Sequence, residues 1–255
     1  MLLAAAVAAA AYRARALTLR GAIAAALVGT CTFGAGGWPY AAVLLAFFLP
    51  STLLSRVGRR RKAMLVDTGK HGARDAWQVL ANGGVAATCA AAAAALGQPA
   101  LAAAFAGAFA AASADTWGTE IGTLSREQPR SILSFKPVAA GLSGGVTALG
   151  TAAELGGACV VAVVAAAAGA APFSAVAAGG IAGALADSLL GACLQERRYC
   201  AACARECETN PHACGAPTSA VRGLPWISND AVNGLATLTG ALVAASVRTF
   251  FPNSR

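Results

Sequence analysis

Long apolar runs, broken by short turns on one side and by arginine-rich connections on the other, leave this chain few folds to choose from. Segments 19–35, 38–54, 76–96, 100–114, 142–168, 173–194 and 231–247 each read as a membrane span, since crossing the hydrocarbon takes about 20 apolar residues. Segment 2–12 is apolar but short, so seven spans are expected, or eight if it also crosses. Only 12% of the residues are charged, against about 25% in an ordinary soluble domain. No polar face alternates with the apolar one, which argues against a soluble alanine-rich bundle. The 29 glycines read as helix breaks and as places where helix backbones approach closely in lipid. The expected fold is an all-α polytopic transmembrane bundle forming a single domain over 1–255, with a cysteine-rich loop, 196–228, between the last two spans. No basic residue precedes the first apolar run, so no cleaved signal peptide is read.

The charges set a topology. All 19 lysines and arginines except Arg248 and Arg255 fall before or at the start of the 19–35 span or in the long connections, and the turns at 35–38, 97–99 and 169–173 carry none. By the positive-inside rule the long connections are cytoplasmic, which turns the polar face toward the cytoplasm; the expected location is a bacterial-type cytoplasmic (inner) membrane. The net charge of +8 is then chiefly a topology signal. Nucleic-acid binding is excluded for want of a soluble basic domain, and the composition leaves room for a homo-oligomer.

Several polar residues go beyond what topology requires. Lys70, Arg74, Gln78 and Asn82 recur every four residues and would share one helix face. Such a ladder is either interhelical hydrogen-bond glue or a grip on phosphate oxygens. Asp115 and Glu120, with Thr116 and Thr119 between them, are hard oxygen ligands of the kind Mg²⁺ takes together with substrate phosphates; the plainer alternative is a pair of solvated helix-end carboxylates. Segment 106–116 also matches 178–188, each ending in Ala-Asp-hydroxyl, which suggests two related halves, each bringing a carboxylate, Asp115 or Asp187, to a shared site. Lys136 precedes a glycine cluster containing Gly144 and Gly145, expected to open a span with its N–H groups toward an anion. It is not a Walker A loop, because no Gly-Lys-Ser/Thr follows. Glu154 reads as a core polar group. Asn229, Asp230 and Asn233 open the last span; helix capping explains one of them.

Eight cysteines raise a separate question. Cys31, Cys89, Cys159 and Cys193 stand alone in spans and read as packing residues. Cys200, Cys203 and Cys214 with His212 form a Cys-x-x-Cys and His-x-Cys set suited to a structural Zn²⁺, Cys207 competing with His212 for the fourth place.

Five ordered motifs resemble the signature of the transmembrane protein nineteen family, which includes the plant phytyl-phosphate kinase. They are Arg74-x-x-x-Gln78-Val-Leu-Ala-Asn82, Asp115-Thr-x-x-Thr-Glu120-Ile-Gly, Pro137-Val-x-x-Gly141-x-x-Gly144-Gly145-Val-Thr, Asp187-Ser-Leu-Leu-Gly-Ala-x-x-Gln195 and Asn229-Asp230-x-Val-Asn233. The resemblance implies an integral membrane kinase that converts an isoprenoid monophosphate to its diphosphate with CTP or ATP. The expected catalytic set is Asp115, Glu120, Asp187 and Asp230, the first three holding Mg²⁺. The expected substrate set is Lys70, Arg74, Gln78, Asn82, Lys136, Gly144, Gly145, Gln195, Asn229 and Asn233. A nucleotidyl transferase making a CDP-lipid and a lipid or small-solute transporter are the alternatives.

Overall fold

A single helix runs down the middle of the protein, and the rest is arranged around it. The computed structural model describes residues 1–58, 62 and 72–251. Among these are seven helices: α1 Leu2–Arg13, α2 Leu19–Leu54, α3 Ala76–Leu96, α4 Pro99–Gly122, α5 Ala148–Ala167, α6 Phe173–Cys193 and α7 Asn229–Phe250. Residues 103–114 of α4 are buried without interruption, because α2, α3, α5, α6 and α7 all pack on it. Its small side chains permit that: all but Phe105 and Phe109 are Ala, Gly or Ser.

α2 is a hairpin rather than one rod. Gly37 takes a left-handed φ of 59°, which glycine adopts without the steric cost of a Cβ, and Pro39 follows it. Both ends of α2 then lie at the same end of the molecule. Thr18 N–H donates to the Arg74 carbonyl at 2.9 Å, and the Arg56 guanidinium donates to the Ala14 carbonyl at 3.3 Å. The outgoing arm rests on α3, where the Cys31 thiol donates to the Ala87 carbonyl at 3.4 Å. The returning arm is fixed to α4 by rings, with Tyr40 stacked on Phe105 at 4.1 Å and Phe47 on Phe109 at 5.6 Å between centroids.

Five helices, α2, α3, α5, α6 and α7, are long and apolar enough to cross a membrane, and α2 covers two of the seven or eight expected spans with its two arms. Helix α1 has only 12 residues. α4 has the length but not the hydropathy; walled in by other helices along its buried stretch, it has little need to match lipid there. The all-α expectation also needs correction. β1 (Arg130–Ser131) pairs with β2 (Gly145–Val146), and β3 (Arg197–Cys200), β4 (Arg205–Cys207) and β5 (Ser219–Arg222) form an antiparallel sheet of order β4-β3-β5. These short strands lie in the connections, outside the helical bundle.

The closest helix contacts run through glycine. A Cβ on Gly179 would sit 2.5 Å from the Gly240 carbonyl oxygen and 3.3 Å from the Gly107 Cα, and one on Gly183 would meet the Ala111 Cβ at 2.3 Å. Gly179 against Gly107 and Gly183 against Ala111 are the same pairs that the match between 106–116 and 178–188 aligns. Overpacking here should cost about 1–3 kcal/mol per site. Gly179→Ala and Gly240→Ala should therefore lower the thermal unfolding midpoint in detergent. Gly34→Ala, with open space around it, should leave that midpoint unchanged or slightly raised.

Candidate functional site

At the end of the bundle where the basic connections lie, a cavity of 740 Å³ opens between α1, α2, α3 and α4. Its polar part is lined by Lys62, Arg74, Gln78, Asn82, Asp115 and Glu120, with Asn229 and Asn233 reaching in from α7. Its apolar part continues along α1 and α2, past Val7, Val28, Phe33, Leu44 and Phe48. One cavity thus has a charged mouth and a greasy wall.

Arg74 reaches the site by a route that four-residue periodicity does not describe. Helix α3 starts only at Ala76, because Asp75 caps it: the Asp75 carboxylate accepts from Gln78 N–H at 3.0 Å, and the Gln78 side chain accepts from Asp75 N–H at 3.2 Å. This reciprocal capping box satisfies two backbone donors and stops the helix short of Arg74. Arg74 lies in extended backbone instead, its N–H donating to the Ala16 carbonyl at 3.0 Å. Only Gln78 and Asn82 keep the expected helix spacing, Asn82 donating to the Gln78 carbonyl at 2.8 Å. Lys70 lies outside the described residues. Burial lowers the Arg74 pKa from its ordinary value, and the Glu120 carboxylate partly restores it. A desolvated guanidinium of this kind favours an anionic guest.

Asp115 and Glu120 both sit within α4, not beyond its end. Glu120 is held by Lys62, whose ammonium donates to it at 2.5 Å and to the Leu54 carbonyl at 3.0 Å. Asp115 lies one turn beyond Ala111, and Asp187 one turn beyond Gly183. Ala111 and Gly183 touch, so the two aspartates stand at one level on facing helices. Ala236 of α7 meets Gly183 through its carbonyl, which brings Asn233, one turn away, to the same level. Glu154 of α5 folds over Gly118.

Other expected site residues lie elsewhere. Asp187, Asp230, Lys136, Gly144, Gly145 and Gln195 do not line the large cavity. Gly144 and Gly145 do not open a helix: Thr147 caps α5, Gly145 lies in β2, and Gly144 is pressed against Ala192. Gln195 is 3% exposed and donates to Glu208 at 2.7 Å. The other Glu208 oxygen accepts from Ser143 N–H at 3.0 Å, so this carboxylate clips the cysteine-rich loop to the 141–147 segment. Thr116 and Thr119 line the cavity beside Asp115 and Glu120, and so do Arg15, Arg56 and Lys62, three cations to which sequence reasoning gave no site role. The three cations had been absorbed into the topology signal.

Among the described residues, Cys200, Cys203, His212 and Cys214 are the group of metal-ligating side chains whose donor atoms all lie within 4.8 Å of one another. The Cys200 and Cys214 sulfurs are 3.7 Å apart, and the Cys203 sulfur is 3.6 Å from His212 Nδ1. A tetrahedron with metal–sulfur bonds of about 2.3 Å has edges of that size. Cys207 stays outside the set, its thiol donating to the Thr209 carbonyl at 3.7 Å. The carboxylates of Asp115, Glu120 and Asp187 do not close to 4.8 Å as a trio.

The model for the family described as "Integral membrane protein DUF92" matches residues 2–241. Protein PGR of Arabidopsis thaliana is 36% identical over 220 residues, covering 74% of this chain and 75% of that protein. An uncharacterized membrane protein of Methanocaldococcus jannaschii is 34% identical over 194 residues, covering 72% and 77%. Another, from Synechocystis, is 27% identical over 228 residues, covering 87% and 78%. No solved structure matches the chain. The chain belongs to the DUF92 family of integral membrane proteins.

Proposed function

We propose that this protein is a membrane-embedded kinase that transfers the terminal phosphoryl group of CTP, or of ATP, to an isoprenoid monophosphate. The observation that carries the reading is the single cavity with a cationic, amide-lined mouth and an apolar wall. That is the complement of an amphiphile with a phosphate head and a hydrocarbon tail. The resemblance to the phytyl-phosphate kinase family supports the same substrate class. The basic connections support a cytoplasmic active face.

Phosphoryl transfer asks a protein mainly for positioning and for charge around the moving group. Arg74 and Lys62, with Arg15 and Arg56 at the rim, would neutralise phosphate oxygens, while Gln78, Asn82 and Asn233 would orient the lipid head. An oxygen of the lipid monophosphate attacks the γ-phosphorus, and the bond from that phosphorus to the bridging oxygen of the β-phosphate breaks. The nucleoside diphosphate leaves with the electron pair. The acceptor is already ionised, so no general base is needed. Asp115 and Glu120, which both line the cavity, are the residues that would hold Mg²⁺, while Asp187 does not line it. Bound there together with the triphosphate, the ion would supply further neutralisation of charge.

Purified protein incubated with Mg²⁺, a panel of prenyl monophosphates and either α- or γ-labelled nucleotide tests the reading. Label from the γ-position alone should enter the lipid. Entry of the α-label would make the protein a CDP-lipid-forming nucleotidyl transferase. Movement of lipid or solute in vesicles without nucleotide turnover would make it a transporter. Asp115→Asn should lower kcat roughly a hundredfold or more, with thermal stability close to wild type.

We assign the Cys200, Cys203, His212 and Cys214 set to a structural Zn²⁺, since protein ligands would fill all four positions and leave none for chemistry. Mass spectrometry of metal content should find about one zinc per chain. Cys203→Ser should lose that zinc and expose the 197–222 sheet to limited proteolysis, whereas Cys207→Ser should retain the metal.

A further inference from the structure

A smaller cavity, of 150 Å³, lies beside the first and is lined by Ser131, Ser134, Ser143, Gly144, Arg197 and Arg222. The two cavities share a wall, for Gly141 lines the large one, while Ser143 and Gly144, a few residues on, line the small one.

Two guanidinium-bearing residues stand where unaided physics would not put them. Arg197 of β3 and Arg222 of β5 are directly opposed in the register of the sheet, and like charges in that position destabilise a strand pair. The Arg197 side chain is 14% exposed. It makes only long contacts, 3.4 Å to Glu206 and 3.5 Å to the Ser143 carbonyl. Burial first, and then the Arg222 charge, push its pKa below the ordinary value, with Glu206 and Glu208 opposing. Glu208, however, already accepts from Ser143 and Gln195. Among the described residues Arg222 makes no ion pair. Two arginines and three serines thus line a space with room for several waters or one tetrahedral oxyanion. A tetrahedral oxyanion accepting from both guanidinium groups would turn the repulsion into a clamp.

We propose that this pocket is a second anion site, which binds a phosphoryl group between β3, β5 and the 131–144 loop. It stands whichever reaction the large cavity performs. The phosphoryl group could come from a soluble nucleotide or pyrophosphate, or from the head of an anionic lipid at the membrane surface, and the chemistry of recognition is shared.

The test uses full-length protein in phosphatidylcholine nanodiscs, titrated with pyrophosphate by calorimetry. A parallel preparation contains phosphatidylglycerol, and its thermal unfolding is compared with that in phosphatidylcholine alone. The variants are R222Q at an exposed position, E206Q, and R74Q to silence the large cavity. Pyrophosphate binding that survives in R74Q, weakens at least tenfold in R222Q and tightens in E206Q supports the site with a soluble phosphate as its source. Stabilisation by phosphatidylglycerol that R222Q abolishes supports it with a lipid head as the source. If R222Q matches wild type in both the calorimetric and the lipid arm, the proposal is overturned.

Discussion

The backbone contact among Gly107, Gly179 and Gly240 sets the position of almost everything polar in this protein. Helices that meet at a carbonyl–Cα distance cannot slide or rotate past one another without a clash. One turn from that crossing stand Ala111, Gly183 and Ala236, and about one turn further Asp115, Asp187 and Asn233. The small residues therefore do more than pack. They fix the level at which three helices present their polar groups, and they do it near the end of the bundle where the basic connections gather. A carboxylate facing lipid is costly, and the central position of α4 keeps Asp115 off that surface.

The large cavity takes its shape from a second constraint, the hairpin of α2. Its two arms lean on different partners, the outgoing arm on α3 and the returning arm on α4 through the Tyr40 and Phe47 rings. A gap remains between the arms and α1, and that gap is the apolar part of the cavity. The mouth is closed by backbone rather than by side-chain packing: Arg74 is pinned through its own N–H and carbonyl to the 16–18 segment. A Cβ at Gly21 would strike that carbonyl at 2.2 Å. A cation that burial desolvates is thus carried on a stretch of chain held at both of its backbone groups.

Much of this was legible in the sequence where one interaction dominates. The break at Gly37 could be read because a glycine and a proline end an apolar run. The four-ligand set at 200–214 could be read because ligand type and spacing are local. The contacts of Gly107 with Gly179 and of Ala111 with Gly183 fall on residues that the two matched segments align, although Asp187 does not join Asp115 in lining the cavity. What could not be read were places where two rules compete. Arg74 falls in phase with Gln78 and Asn82, but the capping chemistry of Asp75 outweighs periodicity. The Asp-x-x-Gln signal was there to be weighed. Lys62 and Arg56 were hidden inside a run of basic residues that the topology rule explains wholesale. Gln195 and Glu208 find each other across the cysteine-rich loop, a pairing that no local pattern announces.

That last pairing ties the cysteine-rich loop to the membrane domain. A segment as short as 196–228 cannot bury enough apolar surface to hold itself together, so it needs internal cross-links and outside anchors. The Zn²⁺ proposed for the ligand cluster would supply the first. Glu208 supplies the second, with one oxygen on the Ser143 backbone and the other on Gln195, just past the end of α6. The 141–147 segment is therefore gripped from the loop side by Glu208 and from the bundle side by Ala192 against Gly144. Gly141 of this segment lines the large cavity, and Ser143 and Gly144 line the Arg197–Arg222 pocket. Any change in the cysteine-rich loop that shifted Glu208 would be passed to both cavities through a few residues of backbone. With the proposed Zn²⁺ bound, the sheet at this position would hold that backbone in place, which a free loop could not do.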